Sequence, residues 1–217
     1  MTNVAVVLSG CGVFDGSEIH ESVLTLLHLN QLGARYQCFA PNIDQMRVVN
    51  HLTGQPAEGE TRNVLVEAAR IARGKIQDVA FAKVSDFDAV ILPGGFGAAT
   101  NICDFAISGA DCDVQVDVGH FLKAMHAAKK PVGLICIAPV LAPKLFENVT
   151  CTIGNDKDTA EAIEKMGGKH QNCAVDHIVV DEANKLVTTP AYMLAQNLSE
   201  LSIGIAKLVA KVIALTK

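Results

Sequence analysis

The sequence predicts an α/β fold with a mainly parallel sheet covered by helices on both faces. Three observations carry the prediction. Short β-branched runs, Val4–Leu8, Ala89–Leu92 and Val132–Ile135, are apolar throughout, as strands buried on both faces must be. They alternate with longer stretches of helical spacing. Each run ends in a glycine, proline or polar turn.

In chain order, Val4–Leu8 ends at Ser9-Gly10, and Ser17 is placed to cap a helix running through Val23, Leu24 and Leu27 to Leu32, where Gly33 stops it. Tyr36–Ala40 is a second strand, closed by Pro41. A loop over 53–60 precedes a helix from Arg62 to Ala72 that stops at Gly74. After Ala89–Leu92 and Pro93-Gly94-Gly95, helical patterns occupy 98–107 and 114–128. Pro131 opens Val132–Ile135, and a helix follows Cys136. An apolar stretch at 149–153 and a helix over 157–166 come next. Ile178–Val180 and Leu186–Thr188 form a hairpin around Glu182-Ala183-Asn184. A long closing helix runs from Tyr192 to Leu215. No linker or repeat interrupts residues 1–217, so one domain is expected.

Half of the 217 residues are apolar and the net charge is −5, without a basic patch, so nucleic acid is not an expected partner. No apolar stretch approaches the ~18 residues of a membrane span. The first residues lead directly into a strand pattern, with no basic leader. Seven cysteines, an odd number without a C-x-x-C pair, argue against a disulfide framework or a metal site. A reduced, cytoplasmic protein is expected.

Ligands of parallel sheets sit beyond the carboxyl ends of the strands. Three segments there stand out. Residues 8–21 read LSGCGVFDGSEIHE, close to a dinucleotide loop, but Asp15 stands where the third glycine belongs. Asp15 and Glu18 also bring negative charge to the helix start that a phosphate would need. The loop is therefore expected to deliver Glu18, unless Glu18 merely complements the helix dipole. The second segment, PVGLICIAP over 131–139, puts Cys136 on a strand-to-helix turn, the geometry of a nucleophile elbow. A thiol at a helix start has its thiolate favoured, although an inert buried cysteine fits the position as well. The third, LPGGFG over 92–97, lets backbone N–H groups converge: Gly95 and Ile137 could form an oxyanion hole, with Gly94 beside it.

These motifs resemble the ThiJ/PfpI (class I glutamine amidotransferase-like) superfamily. LSGCGVFDGSEIHE, NHLTG, ETRNVLVEAARIARG, PGGFGAATN and VTTPAYMLAQN are similar to one branch of it, the enhancing-lycopene-biosynthesis (ElbB) group. The resemblance spans nearly the whole chain. It implies a flavodoxin-like three-layer αβα sandwich, Cys136 as nucleophile, Glu18 as its carboxylate partner and Gly95 as an oxyanion-hole donor. It further implies a homodimer without metal or cofactor, and weak conversion of glyoxal to glycolate. One departure stands out: the 152–156 region, where a histidine is often found downstream of the cysteine, reads TIGND. His20 and His51 are candidates to line the pocket in its place, with Pro190 and Tyr192 after the last strand. On this reading Cys136 adds to a small aldehyde and a protonated Glu18 shuttles a proton beside a low-pKa thiol. The rival readings are a cysteine redox sensor and a non-catalytic protein that binds a metabolite or a partner.

Overall fold

A computed structural model describes all residues, 1–217. The strands of the main sheet are β1 (Asn3–Val7), β2 (Arg35–Ala40), β3 (Ile76–Asp78), β4 (Ala89–Leu92), β5 (Val132–Ile135), β6 (Val179–Asp181) and β7 (Leu186–Thr189). They form a seven-stranded sheet ordered β6-β7-β5-β4-β1-β2-β3. Every pairing is parallel except the edge hairpin β6–β7. The main helices are α1 (Ile19–Gln31), α2 (Val64–Ile71), α3 (Val116–Ala127), α4 (Lys157–Lys165) and α5 (Leu198–Ala214).

Alternation along β1 shows how both faces are buried. Ala5 and Val7 enter the core under α3, with Leu122 and Met125, while Val4, Val6 and Leu8 enter the core under α5, with Leu201, Ile205 and Leu208. Gly133 in β5 lets α5 approach: a Cβ there would lie 3.0 Å from Leu208 and 3.1 Å from Val212.

Several elements differ from the sequence expectation. Ser17 does not cap α1; its Oγ accepts the Ser9 N–H at 2.8 Å, and Glu18 caps instead. The stretch 98–107 is two single turns, Gly97–Thr100 and Phe105–Ser108. Ile76–Asp78 adds an edge strand where none was expected. The closing helix begins at Leu198, because Asn197 caps it and exchanges hydrogen bonds with Glu200. Residues 191–193 form a separate single turn that starts with Ala191 at φ 48°. No helix is long and apolar enough to cross a membrane.

Candidate active site

Parallel pairing puts the carboxyl ends of β7, β5, β4 and β1 side by side. Four segments meet there: the turn after β7, the Cys136 turn, the Gly94-Gly95 turn and the loop 9–18. That loop is not a phosphate cradle. It is filled by its own groups: Gly12 N–H donates to Ser17 O and Gly16 N–H to Gly12 O, both at 2.8 Å. Asn101 Nδ2 ties it to the body through Ser9 O and Asp15 O.

Cys136 has φ 64°, in the left-handed region that an L-residue adopts at a cost of order 1 kcal/mol or more. Its N–H donates to Thr189 O at 3.0 Å, which fixes the turn against β7. The backbone thereby directs the side chain into the junction of the four segments, where it is 7 % exposed. The backbone N–H groups of Gly95 and Ile137 favour the ionised form of its sulfur.

The carboxyl group beside the thiol belongs to Glu21: Cys136 Cβ and Glu21 Oε2 border the same point next to Gly94, and the Glu21 charge acts on the thiol. This corrects the expectation for Glu18. Glu18 Oε2 accepts the Glu21 N–H at 2.7 Å, so Glu18 is occupied as the N-cap of α1. Glu21 is wholly buried and held from two sides, by Gly94 N–H on Oε2 at 2.9 Å and Tyr192 N–H on Oε1 at 3.2 Å. Gly94 has to be glycine: a Cβ would lie 2.4 Å from Cys136 Cβ and 2.7 Å from Glu21 Oε2. At Gly95, φ 94° and a backbone 2.3 Å from any Cβ impose the same choice.

Burial pushes Glu21 up to about 8, and the neighbouring Glu18 charge adds to this. The hydrogen bonds from the Tyr192 and Gly94 N–H groups act in the opposite direction without reversing it. Burial likewise raises the Cys136 thiol well above its ordinary value, and the charge of Glu21 raises it further, against the pull of the Gly95 and Ile137 N–H groups. The low-pKa thiol expected from the helix start is therefore not what the structure has, since loss of water outweighs two N–H donors. A thiolate and an ionised Glu21 exclude each other, so the pair carries at most one negative charge.

The remaining candidates divide. Tyr192 supplies its N–H to Glu21, and its hydroxyl lies 2.8 Å from His20 Nδ1. His20 is also 3.9 Å from Glu18 Oε1, and its side chain is 53 % exposed. Pro190 is buried and begins the turn that presents Tyr192; its own Cβ faces Gly154. His51 is spent on the opening loop, bonding Val49 O through Nδ1 and accepting the Phe14 N–H on Nε2.

Glu21 was missed because α1 carries polar residues on its buried face. Glu21, Ser22, Thr25 and Leu29 are buried, whereas Ile19, Val23 and Leu27 are exposed. The available signal was the i, i+4, i+8 row Glu21-Thr25-Leu29, which puts an acid in line with a core leucine.

A parallel sheet carrying an elbow cysteine at its carboxyl edge defines a class I glutamine amidotransferase-like protein with the DJ-1/ThiJ/PfpI fold. Fold comparison agrees. A DJ-1 superfamily protein from Salmonella typhimurium matches over 99 % of this chain and 91 % of its own, with TM-score 0.60 at 20 % identity. A glyoxalase III from Candida albicans matches over 99 % of this chain and 97 % of its own, with TM-score 0.63 at 13 % identity. No protein-family model matches the chain. The chain belongs to the ES1 family of glutamine amidotransferase-like class 1 domain proteins: it is 51 % identical to the human "Glutamine amidotransferase-like class 1 domain-containing protein 3, mitochondrial", over 98 % of this chain and 83 % of the relative. The rat "ES1 protein homolog, mitochondrial" is 49 % identical over 98 % of this chain and 84 % of its own length. Those names place the two relatives in mitochondria rather than in the cytoplasm. A crystal structure of an isoprenoid biosynthesis protein with amidotransferase-like domain from Ehrlichia chaffeensis covers all of both chains, with TM-score 0.93 and 37 % identity.

Proposed function

We propose that this chain is a cysteine-dependent glyoxalase-type enzyme of the enhancing-lycopene-biosynthesis branch, converting small α-oxoaldehydes to 2-hydroxy acids, glyoxal to glycolate, without a cofactor. The observation that carries the reading is the setting of one sulfur: Cys136 lies beside the buried Glu21 carboxyl, and the N–H groups of Gly95 and Ile137 favour its ionised form.

Ionised Glu21 takes the thiol proton as sulfur adds to the aldehyde carbon. The new oxyanion is held by the Gly95 and Ile137 N–H groups and receives that proton, giving a hemithioacetal. Glu21 then removes the hydrogen from the sulfur-bearing carbon, and the neighbouring carbonyl oxygen is protonated to give an enediol. Proton return to the second carbon gives a 2-hydroxy thioester. Water cleaves this to the 2-hydroxy acid and restores the thiol. One carbon is oxidised and its neighbour reduced, so the reaction balances with water alone. Glu18 holds Glu21 in place through its N–H. Glutamine hydrolysis is disfavoured, because the 152–156 stretch downstream of Cys136 holds no histidine to protonate the departing ammonia. Burial of Cys136 and its raised thiol weigh against peroxide sensing, which needs an accessible thiolate.

Glyoxal turnover tests the reading. The wild type is expected to form glycolate, and Cys136→Ala and Glu21→Gln to lose that activity. Saturable binding of glyoxal without turnover would favour the non-catalytic binder. A homodimer belongs to the same reading, and sedimentation velocity checks it.

A further inference from the structure

We propose that Cys103, Cys112 and Met166 form a three-sulfur site for a soft monovalent metal ion, Cu(I). The site is independent of the catalytic reading above: Cys103 belongs to the core under α3, whereas Cys136 belongs to the core under α5. The chain forms a short antiparallel ribbon here. Cys103 pairs with Val114, and the Gln115 N–H donates to Ile102 O at 2.7 Å. Cys112 is extended, at φ −61° and ψ 152°, and stands two residues before Val114. Its side chain therefore leaves the ribbon on the face that Cys103 uses. Cys112 Sγ lies 4.0 Å from the sulfur of Met166, the residue that ends α4. Both cysteines are buried and both are free thiols.

Three sulfurs about 2.3 Å from one ion lie about 4 Å apart in a trigonal site. The Cys112–Met166 separation already has that value. The two thiols act on each other. Cys112 and then burial push the Cys103 thiol up, while Cys103 holds Cys112 below its ordinary value, against burial and with help from the Lys144 charge. Two thiolates around a single positive ion leave one negative charge, which Lys144 offsets. The loop between the cysteines is set before any ion arrives: Asp104 Oδ1 accepts the Asp113 N–H and Asp104 Oδ2 the Ser108 hydroxyl, both at 2.7 Å. Entry is short, because a surface cavity of about 440 Å³ has Met166 and Lys144 in its wall. Thiolate and thioether together select a soft ion. Zinc takes four ligands, and no three His, Cys, Asp or Glu side chains cluster to supply them. Binding forms two thiolate bonds and one thioether bond, releases two protons to solvent and transfers no electron.

The test is an anaerobic titration of the whole chain with Cu(I) against a chromogenic Cu(I) chelator, followed by X-ray absorption at the copper edge. The wild type is expected to keep one ion per chain on three sulfur ligands. Cys103→Ser and Cys112→Ser should each weaken retention by about a hundredfold. Met166→Leu keeps the volume and should weaken it by about tenfold, with one sulfur lost from the copper shell. Cys136→Ala should hold the ion as the wild type does. Melting curves accompany each variant, and Met166→Leu decides where a buried serine lowers the melting point. Surrender of all copper to the chelator by the wild type, nitrogen or oxygen ligands in the absorption spectrum, three sulfurs still bound in Met166→Leu, or loss of the ion in Cys136→Ala overturns the site. None of these readouts uses glyoxal, so failure of the catalytic reading leaves the site standing.

Discussion

Glu21→Gln is expected to abolish the fall in folding stability with rising pH that one buried acid imposes. Burial lifts Glu21 from 4.5 to about 8 in the folded chain. Between those values the folded state keeps a proton that the unfolded state has released, so stability falls as pH rises. At about 1.4 kcal/mol per unit, the wild type loses on the order of 5 kcal/mol between pH 4.5 and pH 8 through this group, and about 3 kcal/mol of it by pH 7. Glutamine does not titrate, so that loss disappears. The substitution has its own cost. Two N–H groups, of Gly94 and Tyr192, donate to separate carboxyl oxygens, and an amide offers only one oxygen. One donor is left without an acceptor, at about 1–3 kcal/mol. The variant is therefore expected to be less stable than the wild type at pH 5 and more stable at pH 9, with the curves crossing at about pH 6. Urea unfolding at pH 5, 7 and 9 measures this directly. Parallel stability curves for the two proteins would show that Glu21 ionises freely in the folded chain, and the account of the site would fail.

Three further outcomes follow from the same geometry. Alkylation of Cys136 by iodoacetamide should speed up about tenfold between pH 7 and pH 9 as Glu21 ionises around pH 8 and becomes a base for the thiol, and Glu21→Gln should abolish that inflection, read by mass spectrometry of the labelled peptide. Gly94→Ala puts a Cβ 2.4 Å from Cys136 Cβ and should silence the site and lower the melting temperature, whereas Gly119→Ala, whose Cβ meets nothing nearer than 3.5 Å, should leave both unchanged or raise the melting point. Asn197→Ala removes the cap of α5 and should cost about 1 kcal/mol in chemical denaturation without altering alkylation of Cys136.

Much of the fold was legible because buried parallel strands leave an unambiguous sign. Ala89–Leu92 and Val132–Ile135 are the observed β4 and β5 to the residue, since they are apolar throughout and bounded by turn residues. The edge strand Ile76–Asp78 was not legible: it is short, only half-buried, and reads Ile-Gln-Asp. The closing helix was overextended because Tyr192, Met193 and Leu194 continue its apolar character, while its start is set by the Asn197–Glu200 cap. Cys136, Gly95 and Ile137 could be named because each is placed by backbone, and backbone follows strand ends. The acid could not be placed the same way, because a side chain on a helix is placed by rotation about the axis.

That distinction explains why the choice fell on the wrong glutamate. A carboxylate at the first position of a helix turns back to satisfy the free N–H groups of that helix, and Glu18 does so through the Glu21 N–H. A helical side chain leans toward its own N-terminus, so a residue three positions further along reaches the space in front of the helix, where the strand ends converge. The capping acid is thus the one already satisfied by its own helix, and the acid it caps is the one left facing the sulfur. The two carboxyls are not equivalent in energy either. Glu18 is fixed by a bond it would make in any helix, whereas Glu21 is fixed by Gly94 and Tyr192, donors from two other segments of the chain. Only the assembled sheet edge brings those donors together, which makes the raised acid a property of the complete fold and ties reactivity at Cys136 to the integrity of all four segments around it.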